Sequence, residues 1–178
     1  QLALMGLYDT LFSAHDVSAS QILVTRTDFS NPTRVENVKH SMEALLRAGL
    51  IPIINENDAI SANEGYTQSG IFSDNDSLAA LVAGTLGAEL LVILTDVDGV
   101  YDRPPSDPNA RLLDILRPQT WLDSKGEGSK VVIGSKSSQG RGGMQAKIDA
   151  SVSALDQGVA QVVIVNGATR NCILQAAE

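Results

Sequence analysis

Short, solid runs of branched apolar residues recur along this chain and alternate with segments of helical periodicity. The runs are residues 20–25 (SQILVT), 50–54 (LIPII), 90–94 (LLVIL) and 161–165 (QVVIV). A strand without polar alternation is buried on both faces, and such strands belong to parallel sheets covered by helices. The expected fold is therefore α/β: a three-layer sandwich with a largely parallel central sheet. Aromatic residues make up only 4 % of the chain, so Leu, Val, Ile and Ala must form its core.

The intervening segments carry helix signals. Leu2, Met5, Leu7, Leu11 and Phe12 recur at near-helical spacing and predict an amphipathic helix. Asn31-Pro32 predicts a cap followed by proline at the first helical position. That helix runs through Val35, Val38, Met42, Leu45 and Leu46 and stops at Gly49. Helices are also predicted over 77–88 and 144–157, the second ended by Gly158, and a further strand over 130–133. Residues 61–70, 103–109, 124–130 and 135–143 read as loops rich in Gly, Ser or Pro.

Composition excludes several function classes. Acids outnumber bases 21 to 13, a net charge of −8, opposite to what a general phosphate-backbone binder needs. No apolar run approaches the roughly 18 residues of a membrane helix. Cys172 is the only cysteine, which excludes an internal disulfide and a cysteine-based metal cluster. Two histidines, His15 and His40, argue against a histidine-based one.

Ligands of parallel α/β folds gather at the carboxyl ends of the strands. Four polar segments lie there or open a helix. Asn55-Glu56-Asn57-Asp58 follows the second run and can hold an amino group, a carboxylate or a metal, or simply form an Asx turn. Ser73-Asp74-Asn75-Asp76 precedes a helix. One of its residues suffices as an N-cap, and adjacent carboxylates call for a nearby cation, Lys or Mg²⁺. Thr95-Asp96-Val97-Asp98-Gly99 ends the third run, with Asp98-Gly99 as a turn signal and Thr95 and Asp96 placed to meet a nucleotide. Gly140-Arg141-Gly142-Gly143-Met144-Gln145-Ala146-Lys147 combines glycines, a helix start and a first-turn lysine. That suits a phosphoryl group approached by backbone N–H groups and an ammonium, with Lys136 adding charge, though a flexible loop with a solvated lysine has the same composition. The Walker-type G-x-x-x-x-G-K-[ST] loop and the G-x-G-x-x-G fingerprint after a first strand are absent, as are H-E-x-x-H, G-x-S-x-G and H-R-D. Taken together the segments suggest phosphoryl transfer, which needs positioned cations and donors more than covalent chemistry.

The four segments in this order resemble the glutamate 5-kinases of the amino acid kinase superfamily. The matching stretches are Ile54 to Ala59, Ser73 to Ala80, Leu94 to Tyr101 and Gly140 to Lys147, while Phe72 to Asp76 and Pro104 to Asn109 look especially similar to the kinase half of bifunctional pyrroline-5-carboxylate synthase. The resemblance spans essentially the whole chain, 1–178, as one partial kinase domain. It implies ATP-dependent phosphorylation of the glutamate γ-carboxylate on the way to proline, with Mg²⁺ held mainly by ATP rather than by protein side chains. It implies that Asp58 and Asn75, with Asn55 and Asn57 beside them, grip glutamate. It implies catalytic roles for Lys147, Asp76 and Asp74, and ATP contacts from Thr95, Asp96, Arg141, Gly142, Gly143, Met144 and Lys147. Residues 61–70 fall where the family places a substrate and proline-feedback loop. A cytoplasmic homodimer or homotetramer, with neither nucleic acid nor membrane as partner, is the family expectation.

The family opens with a strand and a K-x-G-[ST] loop that nothing here matches, and its last strand has no counterpart. The chain starts at Gln1 inside a helical stretch and stops at Glu178 as another begins, so it reads as a piece of a longer protein that would not catalyse by itself. Two other readings stand beside glutamate phosphorylation: a sister kinase acting on another carboxylate, carbamate or UMP, and a non-catalytic sensor of glutamate or proline.

Overall fold

The computed structural model describes residues 2–57, 72, 74–103, 106–124 and 143–178. The chain divides into two compact units, Gln1–Phe72 and Ser73–Glu178. The fold is α/β with parallel strands, as the apolar runs predict. Among the described residues the strands form two parallel ladders, one in each unit.

The first unit contains α1 (Leu2–Ser13), β1 (Ser18–Val24), a short 3₁₀ helix (Arg26–Phe29), α2 (Pro32–Arg47) and β2 (Leu50–Glu56). Asn31 caps α2 by accepting from Thr33 N at 2.9 Å, with Pro32 at the first position. Gly49 takes φ +76°, a left-handed turn that glycine enters without a Cβ penalty. The chain thereby reverses from α2 into β2, which pairs with β1 from Ser18↔Leu50 to Val24↔Glu56. Val24 and Met42 are fully buried here. Burying side chains of this size contributes about 1.5–3 kcal/mol each. Phe29 and Phe72 add an edge-to-face contact with ring centroids 6.1 Å apart.

Helix α1 forms where predicted, but none of its residues is buried, and Leu4, Leu7 and Leu11 are exposed. Its half-buried residues, Met5, Tyr8 and Phe12, share one stripe, and Leu4, Leu7 and Leu11 lie beside that stripe in the open. Ladder β2 also runs past the predicted end at Ile54, so Asn55 and Glu56 are strand residues and not the start of a turn.

The second unit contains α3 (Asn75–Leu86), β3 (Leu90–Thr95), α4 (Pro118–Ser124), α5 (Met144–Asp156), β4 (Gln161–Asn166) and α6 (Cys172–Ala176). Strands β3 and β4 pair in parallel from Leu90↔Gln161 to Thr95↔Asn166. Ala80 and Ala83 of α3 meet Ala150 and Ala154 of α5, with Val159 beside them. Small residues let the two helices approach closely. A Cβ built on Gly84 would stand 2.6 Å from the Gln157 Cβ. Gly87, at φ +63°, ends α3 and starts the short turn into β3. A second cluster joins Val100, Trp121 and Ile148, with Leu113, Leu116 and Met144 against it. Helix α4, which presents Trp121, is absent from the periodicity reading because seven residues around a proline carry too little pattern.

The strand predicted over 130–133 and the loops at 61–70, 125–130 and 135–142 lie outside the described residues. Among the described residues no helix is long and apolar enough to cross a membrane.

Candidate functional site

Helix α3 leads into β3 through a short turn and packs on it, and α5 is connected to and packed on β4 in the same way. Each helix therefore runs antiparallel to its strand. The N-termini of α3 and α5 and the carboxyl ends of β3 and β4 face one edge of the second unit. This is the edge at which parallel α/β folds bind ligands.

The first turn of α3 divides the work of its acidic residues. Asp74 is the N-cap: its Oδ1 accepts from Ser77 N and from Ser77 Oγ, both at 2.7 Å. Asn75 is exposed at the first helical position. Asp76, one residue on, faces α5. Lys147 Nζ donates to Asp76 Oδ2 at 3.0 Å and to Oδ1 at 3.1 Å. Both side chains are 15 % exposed, so the pair is partly withdrawn from water while its edge stays reachable. The cation that the crowded carboxylates call for is thus a lysine 71 positions away in sequence.

The N-terminus of α5 is built differently. Gly143 is its N-cap in extended conformation and has no side chain to accept the first-turn N–H groups. Lys147 N makes the first helical bond, to Gly143 O at 3.3 Å. The N–H groups ahead of it, with the positive end of the helix dipole, suit an anion. Met144 is half-buried and its side chain joins the Trp121 cluster. Trp121 Nε1 donates to Asp149 Oδ1 at 2.8 Å and so ties α4 to the same helix.

At the strand ends, Thr95 is half-buried and Asp96 exposed. Thr95 O accepts from Gly167 N at 2.9 Å. Asn166, paired in register with Thr95, donates from Nδ2 to Asp98 Oδ1 at 2.9 Å. Gly99 has φ +149° and is buried, and a Cβ on it would meet Leu112 Cδ1 at 3.1 Å. The Asp98-Gly99 turn signal thus marks a position where only glycine avoids both strain and contact. Beyond the turn, Tyr101 bridges Leu112. Arg111 N donates to Asp102 Oδ1 at 2.9 Å, and Arg103 Nε approaches the same oxygen at 3.3 Å. The backbone bond from Arg111 first, then Arg103, hold the Asp102 carboxyl below the ordinary aspartate value.

In the first unit, Asn55 and Glu56 close the β2 ladder, and Asn57 N donates to Val24 O at 2.8 Å. Glu56 Oε1 accepts from Phe72 N at 3.4 Å. At the end of β1, Asp28 Oδ2 accepts from Thr25 N at 2.7 Å and from Thr25 Oγ1 at 2.8 Å. Asp58, Arg141 and Gly142 lie outside the described residues.

Among the predicted residues, the structure brings Asp74, Asp76, Gly143 and Lys147 to neighbouring helix starts, and Thr95 and Asp96 to the strand ends of the same edge. Asn166, Trp121 and Asp149 were not legible as participants. An Asn-Gly pair at Asn166 signals only a turn, and the Trp121–Asp149 contact spans 28 positions.

The amino acid kinase family model matches residues 1–166. The chain is 46 % identical over 177 residues to Delta-1-pyrroline-5-carboxylate synthase 1 of Oryza sativa subsp. japonica, covering 98 % of this chain and 24 % of that protein. It is 39 % identical over 171 residues to a glutamate 5-kinase of Citrifermentans bemidjiense, covering 96 % of this chain and 43 % of that one. The chain therefore spans about a quarter of the plant relative and less than half of the bacterial one. A crystal structure of N-acetylglutamate synthase from Neisseria gonorrhoeae, complexed with coenzyme A and N-acetyl-glutamate, superposes with TM-score 0.50 at 26 % identity. That likeness covers 77 % of this chain and 27 % of the synthase. On the family match over most of its length, and with parallel α/β architecture to accompany it, the chain belongs to the amino acid kinase family.

Proposed function

We propose that the protein to which this chain belongs is a glutamate 5-kinase. It transfers the γ-phosphoryl group of ATP to the γ-carboxylate of glutamate, giving glutamyl 5-phosphate for proline synthesis. Residues 1–178 are part of its kinase domain. The observation that carries the reading is Lys147 held by Asp76 beside the open N-terminus of α5. The names of the plant and bacterial relatives support the substrate.

The transferring phosphoryl group carries charge on its oxygens, and positioned cations and N–H donors stabilise it. Lys147 supplies the ammonium, and Gly143 with Met144 supplies backbone N–H groups. Asp76 fixes where the ammonium stands, and Asp74 fixes the helix that carries Asp76. Thr95, Asp96, Arg141 and Gly142 contact ATP, while Asp58, Asn75, Asn55 and Asn57 hold glutamate. Mg²⁺ is carried mainly on the ATP phosphates. When bound, Mg²⁺ offsets charge on the phosphate oxygens. A homo-oligomer in the cytoplasm, inhibited by proline, completes the proposal.

The test is formation of an acyl phosphate by the full-length protein, trapped as hydroxamate with ATP, Mg²⁺ and glutamate present. Turnover with aspartate, carbamate or UMP but not glutamate would overturn the substrate. Binding of glutamate or proline without any ATP binding would overturn the kinase reading.

A further inference from the structure

We propose that Asn166 is a positioning residue that holds the loop after β3 in the shape that receives the nucleotide. The inference rests on the reading that Thr95 and Asp96 contact ATP.

Thr95 and Asn166 are the last paired residues of β3 and β4. Beyond them each strand turns away, and the two exits are tied together twice. Gly167 N donates to Thr95 O at 2.9 Å. Asn166 Nδ2 donates to Asp98 Oδ1 at 2.9 Å, across 68 positions of sequence. The other end of the same amide is also used, since Asn166 Oδ1 accepts from Ala168 N at 2.9 Å. The amide is therefore fixed from both sides and fixes Asp98 in turn. Thr95 carries the first tie, and Asp96 lies between it and the second.

Only a side chain with a donor and an acceptor can make this arrangement. Aspartate in place of Asn166 would keep the Ala168 bond but lose the donor and set a second negative charge against Asp98. The Asp98 contact is exposed, so it adds little to folding stability. Its effect is on orientation, which a nucleotide would feel as affinity.

The experiment uses the full-length protein and separates KM for ATP from kcat. Asn166→Ala is expected to raise KM for ATP about three- to tenfold, the worth of one such hydrogen bond, with kcat within about twofold of wild type. Asn166→Asp is expected to raise it further. The exchange Asp98→Asn with Asn166→Asp restores donor, acceptor and net charge, and is expected to bring KM back to within about twofold of wild type. An exchange variant no better than Asn166→Asp alone would overturn the inference, and this comparison decides even where Asn166→Ala does not fold. Asp96→Ala serves as the reference. If it raises KM for ATP while Asn166→Ala does not, the positioning role is wrong and the nucleotide reading stands. If Asp96→Ala leaves KM unchanged, the nucleotide reading falls and the inference with it.

Discussion

Lys147 and Asp76 meet with both carboxylate oxygens within 3.1 Å of one ammonium nitrogen, although the two residues open different helices. Contacts farther along, from Ala80 and Ala83 against Ala150 and Ala154 to Gly84 against Gln157, follow the same order on both helices. Helices α3 and α5 thus run parallel, with their positive ends side by side. The pair stands at these ends, and Asp76 ties the lysine to one spot.

Removing either partner has separable effects. Lys147→Ala is expected to lower kcat of the full-length protein by at least about a hundredfold, the usual cost of losing one charge that stabilises a transition state. Asp76→Asn keeps the shape and should also lower kcat, because the ammonium loses its fixed position. Lys147→Ala leaves Asp76 partly buried without its lysine and should cost about 1–3 kcal/mol of stability. Steady-state hydroxamate assays and chemical denaturation measure the two effects. Unchanged turnover in Lys147→Ala would remove that residue from the reaction.

Asp74 is expected to behave as a cap. Asp74→Ala removes the acceptor for Ser77 N and should cost about 1 kcal/mol. Asp74→Ser retains a capping oxygen and should recover most of that stability. If activity also returns in Asp74→Ser, the role of Asp74 in catalysis is indirect; if stability returns without activity, its charge acts on the substrates.

Two glycines test the backbone of the same unit. Gly99→Ala forces a Cβ into a positive-φ position against Leu112 and should cost at least about 1–2 kcal/mol. Gly84→Ala gains helix propensity of about 1 kcal/mol but drives a methyl group into Gln157, and overpacking of about 1–3 kcal/mol outweighs the gain. Both should lower the melting temperature, and Gly84→Ala should recover when Gln157 is shortened to Gly.

Asp102 gives a pH dependence with a definite sign. Its carboxyl is held below the ordinary aspartate value when folded, so the charged form stabilises the fold. That contribution is present above the unfolded value and is lost as pH falls through the folded one. Asp102→Asn retains an acceptor for Arg111 N but not the charge. Its melting temperature should lie below wild type at neutral pH, and the gap should close in acid, below about pH 4. A gap that is constant across this range would show that the charge plays no part.

The strands and most helix starts were legible because they depend on near neighbours. Asn31-Pro32, Gly49 and the runs at Leu90 and Gln161 announce themselves within a few residues. The acidic residues at the start of α3 called for Lys or Mg²⁺ without deciding between them, since Asp76 and Lys147 are joined only by the packing of two helices. Asn166 stayed hidden for a related reason. Its partner Asp98 is near only because β3 and β4 lie in register, and register is a property of the ladder rather than of either strand.

Trp121 is the chain's single tryptophan, buried against Ile148 and Met144 and bonded to Asp149 on α5. The one indole of this chain is thus lodged against the helix whose first turn holds Lys147. A shift of α5 changes the polarity around that indole and the strength of its hydrogen bond. Indole emission from the unlabelled chain therefore offers an optical record of what happens at the N-terminal end of that helix.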